Sequence, residues 1–173
     1  MPIATANQTI GPYWHLLEDK SWADATRFGA EGERIAVTGR LTDGSGAPVA
    51  DGCVEIWQSD PPASETFPAF ARAATDGDGV FRLTTLKPGP VRGRGNTTQA
   101  PHLAVAIFAR GLLKHLVTRL YFAGEALNES DPLLSSIEDA ARRGTLIARP
   151  DGPDAWRLDI SLQGAAETVF LDV

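Results

Sequence analysis

Residues 100–122 read APHLAVAIFARGLLKHLVTRLYF and contain two apolar runs joined by a short connection rich in basic residues. In the first run Leu103, Val105 and Ile107 recur at every second position, which is the period of a β-strand. The residues between them are also largely apolar, so the pattern predicts a central strand with both faces covered. Residues 115–122 predict a second strand.

Segments of the same character lie on both sides of this pair. Turn sequences bound several of them, such as DGSG at 43–46, TDGDG at 75–79 and PDGPD at 150–154. The further predicted strands are residues 33–41, 53–57, 80–86, 145–149, 156–163 and 168–172. Many short strands with frequent turns predict an all-β protein, specifically a β-sandwich.

One short helix is predicted within residues 130–144. Ser130 or Asp131 can cap its first turn, Pro132 suits the first helical position, and Gly144 ends it. Apolar residues follow the helical spacing, and two acidic residues fall in mid-helix: Leu133, Leu134, Ile137 and Ala141, with Glu138 and Asp139.

The chain is predicted to form a single domain with an extended N-terminal arm. Residues 1–32 show little periodicity and contain Trp14 and Trp22, whereas residues 33–173 carry the strand pattern of the β-sandwich. Arms with large aromatic side chains often cover a neighbouring subunit. The alternative is an arm that folds back on its own domain.

Composition excludes several classes of function. The chain has 173 residues and a net charge of −6, which argues against nucleic acid or an anionic membrane as a partner. Its one cysteine, Cys53, permits neither an internal disulfide nor a cysteine-based zinc cluster, and suits a reducing compartment. No signal peptide or membrane-length apolar stretch is evident, so we expect a cytoplasmic protein.

The residues alone mark no catalytic constellation. HExxH, P-loop and GxSxG motifs are absent, and the three histidines, His15, His102 and His115, are widely spaced. Residues 87–102 form a long Gly/Pro-rich connection that carries Arg92 and Arg94. Such loops often build sites, but the pattern alone favours a solvated irregular connection.

Three strings resemble the intradiol ring-cleavage dioxygenases: GRLTDGSGAPVADGCVEIWQSD (39–60), DGDGVFRLTTLKPGP (76–90) and residues 100–122. Some members of this family consist of two related chains, α and β. The strings NQTIGPYWH (7–15), FARG (108–111), TLIAR (145–149) and GAAETVFLDV (164–173) resemble the α type. The resemblance covers nearly the whole chain, from about residue 7 onward.

The resemblance implies a metal centre that this chain cannot complete. Catalytic chains of the family hold a non-haem Fe(III) with two tyrosinates and two histidines. Here residues 57–70 contain no tyrosine, Val91 and Ala104 replace two further ligands, and His102 alone remains. This pattern implies an iron-free subunit, inactive alone, whose partner β chain holds the Fe(III).

The resemblance also implies where this chain would meet the substrate, 3,4-dihydroxybenzoate. By their match to the α-type motifs, Thr9, Gly11, Pro12 and Tyr13 would approach the substrate pocket from the arm. Arg110 would supply positive charge for the substrate carboxylate. The site would lie at the α–β interface, within a larger assembly of αβ protomers.

Each of these roles has a simpler alternative. Arg110 can form a surface or interface ion pair, Tyr13 can serve interface packing, and His102 can be a relic hydrogen-bonded in the core. Another function is an iron-free β-sandwich module that binds a small aromatic acid or a protein partner. A dioxygenase using His15, His102 and His115 together is disfavoured, because strand spacing does not gather these residues.

Overall fold

The computed structural model describes residues 18–172, and most of their regular structure is β-strand. The strands are β1 (Arg34–Thr42), β2 (Cys53–Trp57), β3 (Phe70–Ala74), β4 (Val80–Leu86), β5 (Val91–Arg92), β6 (Thr98–Gln99), β7 (His102–Phe108), β8 (Leu116–Phe122), β9 (Ile147–Pro150), β10 (Ala155–Arg157) and β11 (Ile160–Ser161). The prediction of an all-β protein with few helices is confirmed.

The strands form two layers that share β9. Hydrogen bonding follows the order β11-β1-β10-β9-β8-β7-β2-β3, and β4 pairs with the remaining edge of β1. Strand β9 runs antiparallel to β10 and parallel to β8, so it links the two layers. Strand β7 lies between β2 and β8, which confirms its predicted central position.

The core lies between the layers and is built by alternation. In β7 every second side chain, from Leu103 to Ile107, is buried, and β1 alternates in the same way. Burying a leucine, isoleucine or valine side chain contributes roughly 1.5–3 kcal/mol. A smaller cluster beside β8 joins Ala100, Tyr121, Leu134 and Leu146. This second cluster fixes the helical segment against the sheet.

Gly39 marks the closest approach between β1 and its surroundings. A Cβ atom added there would lie 1.9 Å from the carbonyl oxygen of Leu158 and 2.5 Å from the Phe81 ring. No side chain rearrangement can relieve a clash with backbone. The strand therefore requires glycine at this position.

The helical segment differs from the prediction of one continuous helix. It contains two short helices, α1 (Pro132–Ser136) and α2 (Ala140–Gly144). Asp131 caps α1, as predicted, but Ile137 is extended with ψ 101°, and Asp139 caps α2 instead of lying mid-helix. Two 3-10 turns, Lys20–Ala23 and Ala126–Glu129, accompany them. None of the helices in residues 18–172 is long and apolar enough to cross a membrane.

The strand predictions were confirmed in part. Strands β2 and β4 have the predicted bounds, and the predicted strand 156–163 divides into β10 and β11. Strand β3, with the sequence FARAA, was not predicted. The predicted strand at 168–172 was wrong, because that segment makes only an isolated bridge between Leu171 and Val117.

The described part of the arm, residues 18–32, packs on its own domain. Ala25 and Ala30 join the main core, and the Trp22 ring meets the Phe70 ring edge-on at 5.9 Å. Glu18 accepts a hydrogen bond from the backbone amide of Ala74 at 2.9 Å. The chain therefore enters the described fold beside β3, an outer strand of the sheet.

Candidate functional site

The residues that the resemblance places in a substrate pocket fall into two groups. Thr9, Gly11, Pro12 and Tyr13 lie outside the described residues, as does His15. Arg110 and the family's metal-ligand positions are described, and they belong to opposite ends of β7.

Of the positions that the resemblance assigns to metal ligands, His102 and Ala104 lie in the first half of β7 and Val91 lies in β5. Val91, in β5, faces Gln99 across the small β5–β6 hairpin. His102 opens β7 and faces Tyr121 of β8. Ala104 lies two residues further along the same face of β7, because side chains alternate along a strand. His102 and Ala104 therefore share one face of the sheet.

Ala104 lies in a row of three cross-strand neighbours. Trp57 of β2 is its partner on one side and Arg119 of β8 is its partner on the other. The Trp57 side chain is 52% exposed. A shallow hollow of about 100 Å³ lies beside this row, with Trp57, Phe70, Ala104 and Val117 in its lining. The hollow is open to solvent, and Glu55 also lines it.

His102 is held by a backbone contact. Its Nδ1 lies 2.7 Å from the carbonyl oxygen of Ala100, and since a carbonyl oxygen only accepts, Nδ1 carries the proton. The imidazole packs against the Tyr121 ring at 5.3 Å. Burial lowers the pKa of His102 below its ordinary value, and the charge of Arg119 adds to this effect. The ring is therefore a neutral imidazole whose Nε2 keeps its lone pair.

Arg119 is fixed in front of this region by two hydrogen bonds. Its Nη1 donates to the Gln99 side-chain oxygen at 2.6 Å and to the Tyr121 hydroxyl oxygen at 3.1 Å. The Tyr121 hydroxyl in turn donates to the Asp131 carboxylate at 3.1 Å. A polar chain thus runs from β6 through β8 to the start of α1.

Asp131 anchors the other end of that chain. The residue is fully buried, and its carboxylate accepts hydrogen bonds from the backbone amides of Ala100, Leu133 and Leu134 as well as from Tyr121. Burial raises the pKa of Tyr121, so its hydroxyl stays protonated and donates to this carboxylate. The network ties β6, β7, β8 and α1 together.

These residues do not fit a ferric ion. Fe(III) is a hard cation that prefers several anionic oxygen ligands at fixed geometry. The described positions offer one imidazole, two aliphatic side chains and a guanidinium, and Tyr121 is a neutral phenol. Within residues 18–172 no three histidine, cysteine or acidic side chains converge as metal ligands.

Arg110 lies at the other end of β7, on the loop that leads to β8. Its Nη2 lies 2.6 Å from Asp51 Oδ2, and its side chain is 71% exposed. Strand β7 spans seven residues from His102 to Phe108, so this loop is about 20 Å from the His102 region. The structure therefore does not bring Arg110 together with the metal-ligand positions of its own chain.

The histidines and the other loop arginines are equally dispersed. His115 stacks on Phe108, with ring centroids 5.2 Å apart, and thus lies at the Arg110 end, far from His102. This placement rules out a shared site for His102 and His115. Arg92 and Arg94 lie exposed on the β5–β6 hairpin and its turn. They face solvent in the described structure.

Comparison with known proteins identifies the family. The family model described as Dioxygenase matches residues 11–164. The protocatechuate 3,4-dioxygenase alpha chain of Pseudomonas putida is 39% identical, over 97% of this chain and 96% of that protein. The protocatechuate 3,4-dioxygenase beta chain of Burkholderia cepacia is 35% identical, over 96% of this chain and 73% of that protein.

A solved structure supports the same family. The dioxygenase domain of a dioxygenase and carbohydrate-binding protein fusion from Streptomyces sp. SirexAA-E superposes with a TM-score of 0.64. It shares 28% identity and covers 83% of this chain and 88% of that one. The chain belongs to the intradiol dioxygenase family, as its sequence predicted, and non-haem iron is the metal that this family implies.

Sequence reasoning missed the network around Arg119. One signal was present, since Arg119 interrupts the otherwise apolar end of the run LVTRLYF. A charged residue in the middle of a central strand requires a partner. Its partner Gln99 and the next member of the network, Asp131, come from segments other than β8, and only the folded structure brings them together.

Proposed function

We propose that this chain is the iron-free α subunit of a protocatechuate 3,4-dioxygenase. In the assembled enzyme 3,4-dihydroxybenzoate and O2 give 3-carboxy-cis,cis-muconate, with the ring opened between its two hydroxylated carbons. The match to an α chain over nearly the full length of both proteins carries this proposal. The chain is inactive alone and works in a hetero-oligomer with a β chain.

In this proposal the Fe(III) is held by the partner β chain and not by this chain. The chemistry at the start of β7 supports this division. Val91 and Ala104 supply no donor atoms, and the fixed positive charge of Arg119 faces Ala104 across the strand pair. An Fe(III) ion there would meet one neutral nitrogen and a like charge.

This chain then contributes to the substrate pocket from outside the iron site. Thr9, Gly11, Pro12 and Tyr13 line the pocket from the arm of residues 1–32, and residues 33–173 form the β-sandwich domain. Arg110 provides positive charge for the substrate carboxylate. Its exposure and its distance from the His102 region suit a side chain that faces another subunit.

The setting proposed for the enzyme is the cytoplasm. The single cysteine, Cys53, is buried, and burial raises the pKa of its thiol to about 12. The thiol is therefore inert and suits a reducing compartment. The net charge of −6 suits a small-molecule enzyme better than a nucleic-acid binder.

Co-expression with a β chain tests the proposal. We expect a complex that cleaves 3,4-dihydroxybenzoate and contains iron with the red-brown absorption of tyrosinate-to-iron charge transfer. This chain purified alone should contain no stoichiometric iron and show no activity. Stoichiometric iron in the isolated chain would refute the division of labour. A stable monomer that never joins a β chain would instead favour a binding module.

A further inference from the structure

The region around Ala104 keeps part of a metal-binding geometry. His102 and position 104 lie two residues apart on one face of β7, so their Cβ atoms are about 7 Å apart. Two imidazoles at that spacing can reach a common ion, since zinc and similar metals bind imidazole nitrogen at about 2.1 Å. A single change, Ala104→His, would therefore create a two-histidine site.

His102 is already prepared for such a role. The contact with the Ala100 carbonyl oxygen holds the proton on Nδ1 and leaves Nε2 as the free lone pair. A backbone hydrogen bond of this kind orients metal-ligating histidines in general. The orientation of His102 would therefore permit metal binding, and another feature must oppose it.

Arg119 supplies a second obstacle. It is the cross-strand partner of Ala104, and such partners have Cβ atoms about 5 Å apart. Its guanidinium cannot lose its proton, and the contacts with Gln99 and Tyr121 prevent it from swinging far away. A cation entering beside position 104 would meet a positive charge held in place.

We propose that Arg119 is a metal-excluding residue, whose fixed guanidinium keeps cations away from His102 and position 104. The inference rests on the proposed function, in which the iron belongs to the partner chain. The absence of ligand side chains is then only one reason why no metal binds here, and the charge of Arg119 is a second. Arg119 repels metal ions, and its hydrogen bonds to the Gln99 and Tyr121 oxygens compete with any metal contact to these atoms.

Ni²⁺ binding to the full chain without an added histidine tag tests this inference. Isothermal titration would compare the variant Ala104→His with the double variant Ala104→His/Arg119→Gln, after subtraction of wild-type binding. We expect the double variant to bind Ni²⁺ at least about tenfold more tightly, because a like charge has been removed. Equal affinity in the two variants would overturn the inference.

A third variant separates charge from hydrogen bonding. Ala104→His/Arg119→Lys keeps the positive charge but loses the planar fork, so it should bind Ni²⁺ about as weakly as Ala104→His. If the lysine variant bound as tightly as the glutamine variant, exclusion by charge would be wrong. Urea denaturation of each variant confirms that it is folded. Iron in the wild-type chain would refute the proposed function separately, before any variant is made.

Discussion

The two ends of β7 differ in almost every physical respect. At the His102 end, His102 and Arg119 are half-buried, and a continuous chain of hydrogen bonds joins Arg119, Tyr121 and Asp131. At the other end, Arg110 and its loop are exposed, and Leu113 is 90% exposed. At the first end the polar side chains bind one another, whereas the second end exposes a charged and an apolar side chain to solvent. One end of β7 therefore belongs to a region that stabilises the fold, and the other end belongs to a region suited to contact with a partner.

The largest expected effect is a loss of stability at the His102 end in the variant Asp131→Ala. The change leaves the backbone amides of Ala100, Leu133 and Leu134 without an acceptor in a buried place. We expect a loss of about 3 kcal/mol in the free energy of unfolding, since hydrogen bonds to a buried charge are costly to remove. Urea denaturation of the isolated chain measures this loss.

Asp139→Ala is the matched control for that measurement. Asp139 caps α2 in the same way, but it is exposed, so its removal should cost only about 1 kcal/mol. Similar losses for the two variants would show that Asp131 acts as an ordinary helix cap. The buried network would then have no special part in stability.

The next effect concerns the exposed end. Arg110→Ala in the co-expressed complex should raise KM for 3,4-dihydroxybenzoate roughly tenfold or more, because a charge-assisted contact is lost. Iron content should stay unchanged. Stability should fall by less than about 1 kcal/mol, since the ion pair with Asp51 is largely solvent-exposed.

Arg94→Ala, on the exposed turn after β5, removes an equal charge at the other end of the molecule. Its KM should match that of the wild type. A loss of iron in the Arg110 variant, or equal KM changes in both variants, would contradict a substrate role for Arg110.

The smallest expected effect is a pH dependence of the free energy of unfolding, caused by His102. The folded pKa of His102 lies below 6.5, so the unfolded chain binds this proton first as the pH falls. Stability is therefore lost as pH drops through about 6.5, by at most about 1.4 kcal/mol for each pH unit. Denaturation of wild type and His102→Gln at about pH 7.5 and pH 5.5 measures the difference. Parallel changes in the two proteins would argue against a buried neutral imidazole.

Local patterns in the sequence predicted much of this fold. Strand β2 is a short, largely apolar run, and β4 is rich in large apolar and β-branched residues; their predicted bounds are those observed. Strand β3 escaped prediction because Ala71, Ala73 and Ala74 carry little strand propensity. Ala71 and Ala73 are buried because β2 and the core cover them, which is a tertiary effect.

The division of the helix could have been predicted in part. Aspartate favours the cap over the helix interior, and Asp139 is followed by a short run of good helix formers. The helical spacing of Leu133, Leu134 and Ile137 concealed this signal. For the site, the family resemblance implied that Ala104 replaces a metal ligand, but not that Arg119 is its cross-strand partner, since that pairing depends on strand register.

The contact between Glu18 and Ala74 has a consequence for how the chain behaves among its own copies. An outer strand with a bare amide is a template on which another molecule can add a strand and begin to polymerise. Here a carboxylate already occupies the amide of Ala74. A second copy adding a strand at this point would have to displace an anion from its hydrogen bond. The segment that leads into the sandwich thus removes one of the free donors that edge-to-edge pairing between copies would use.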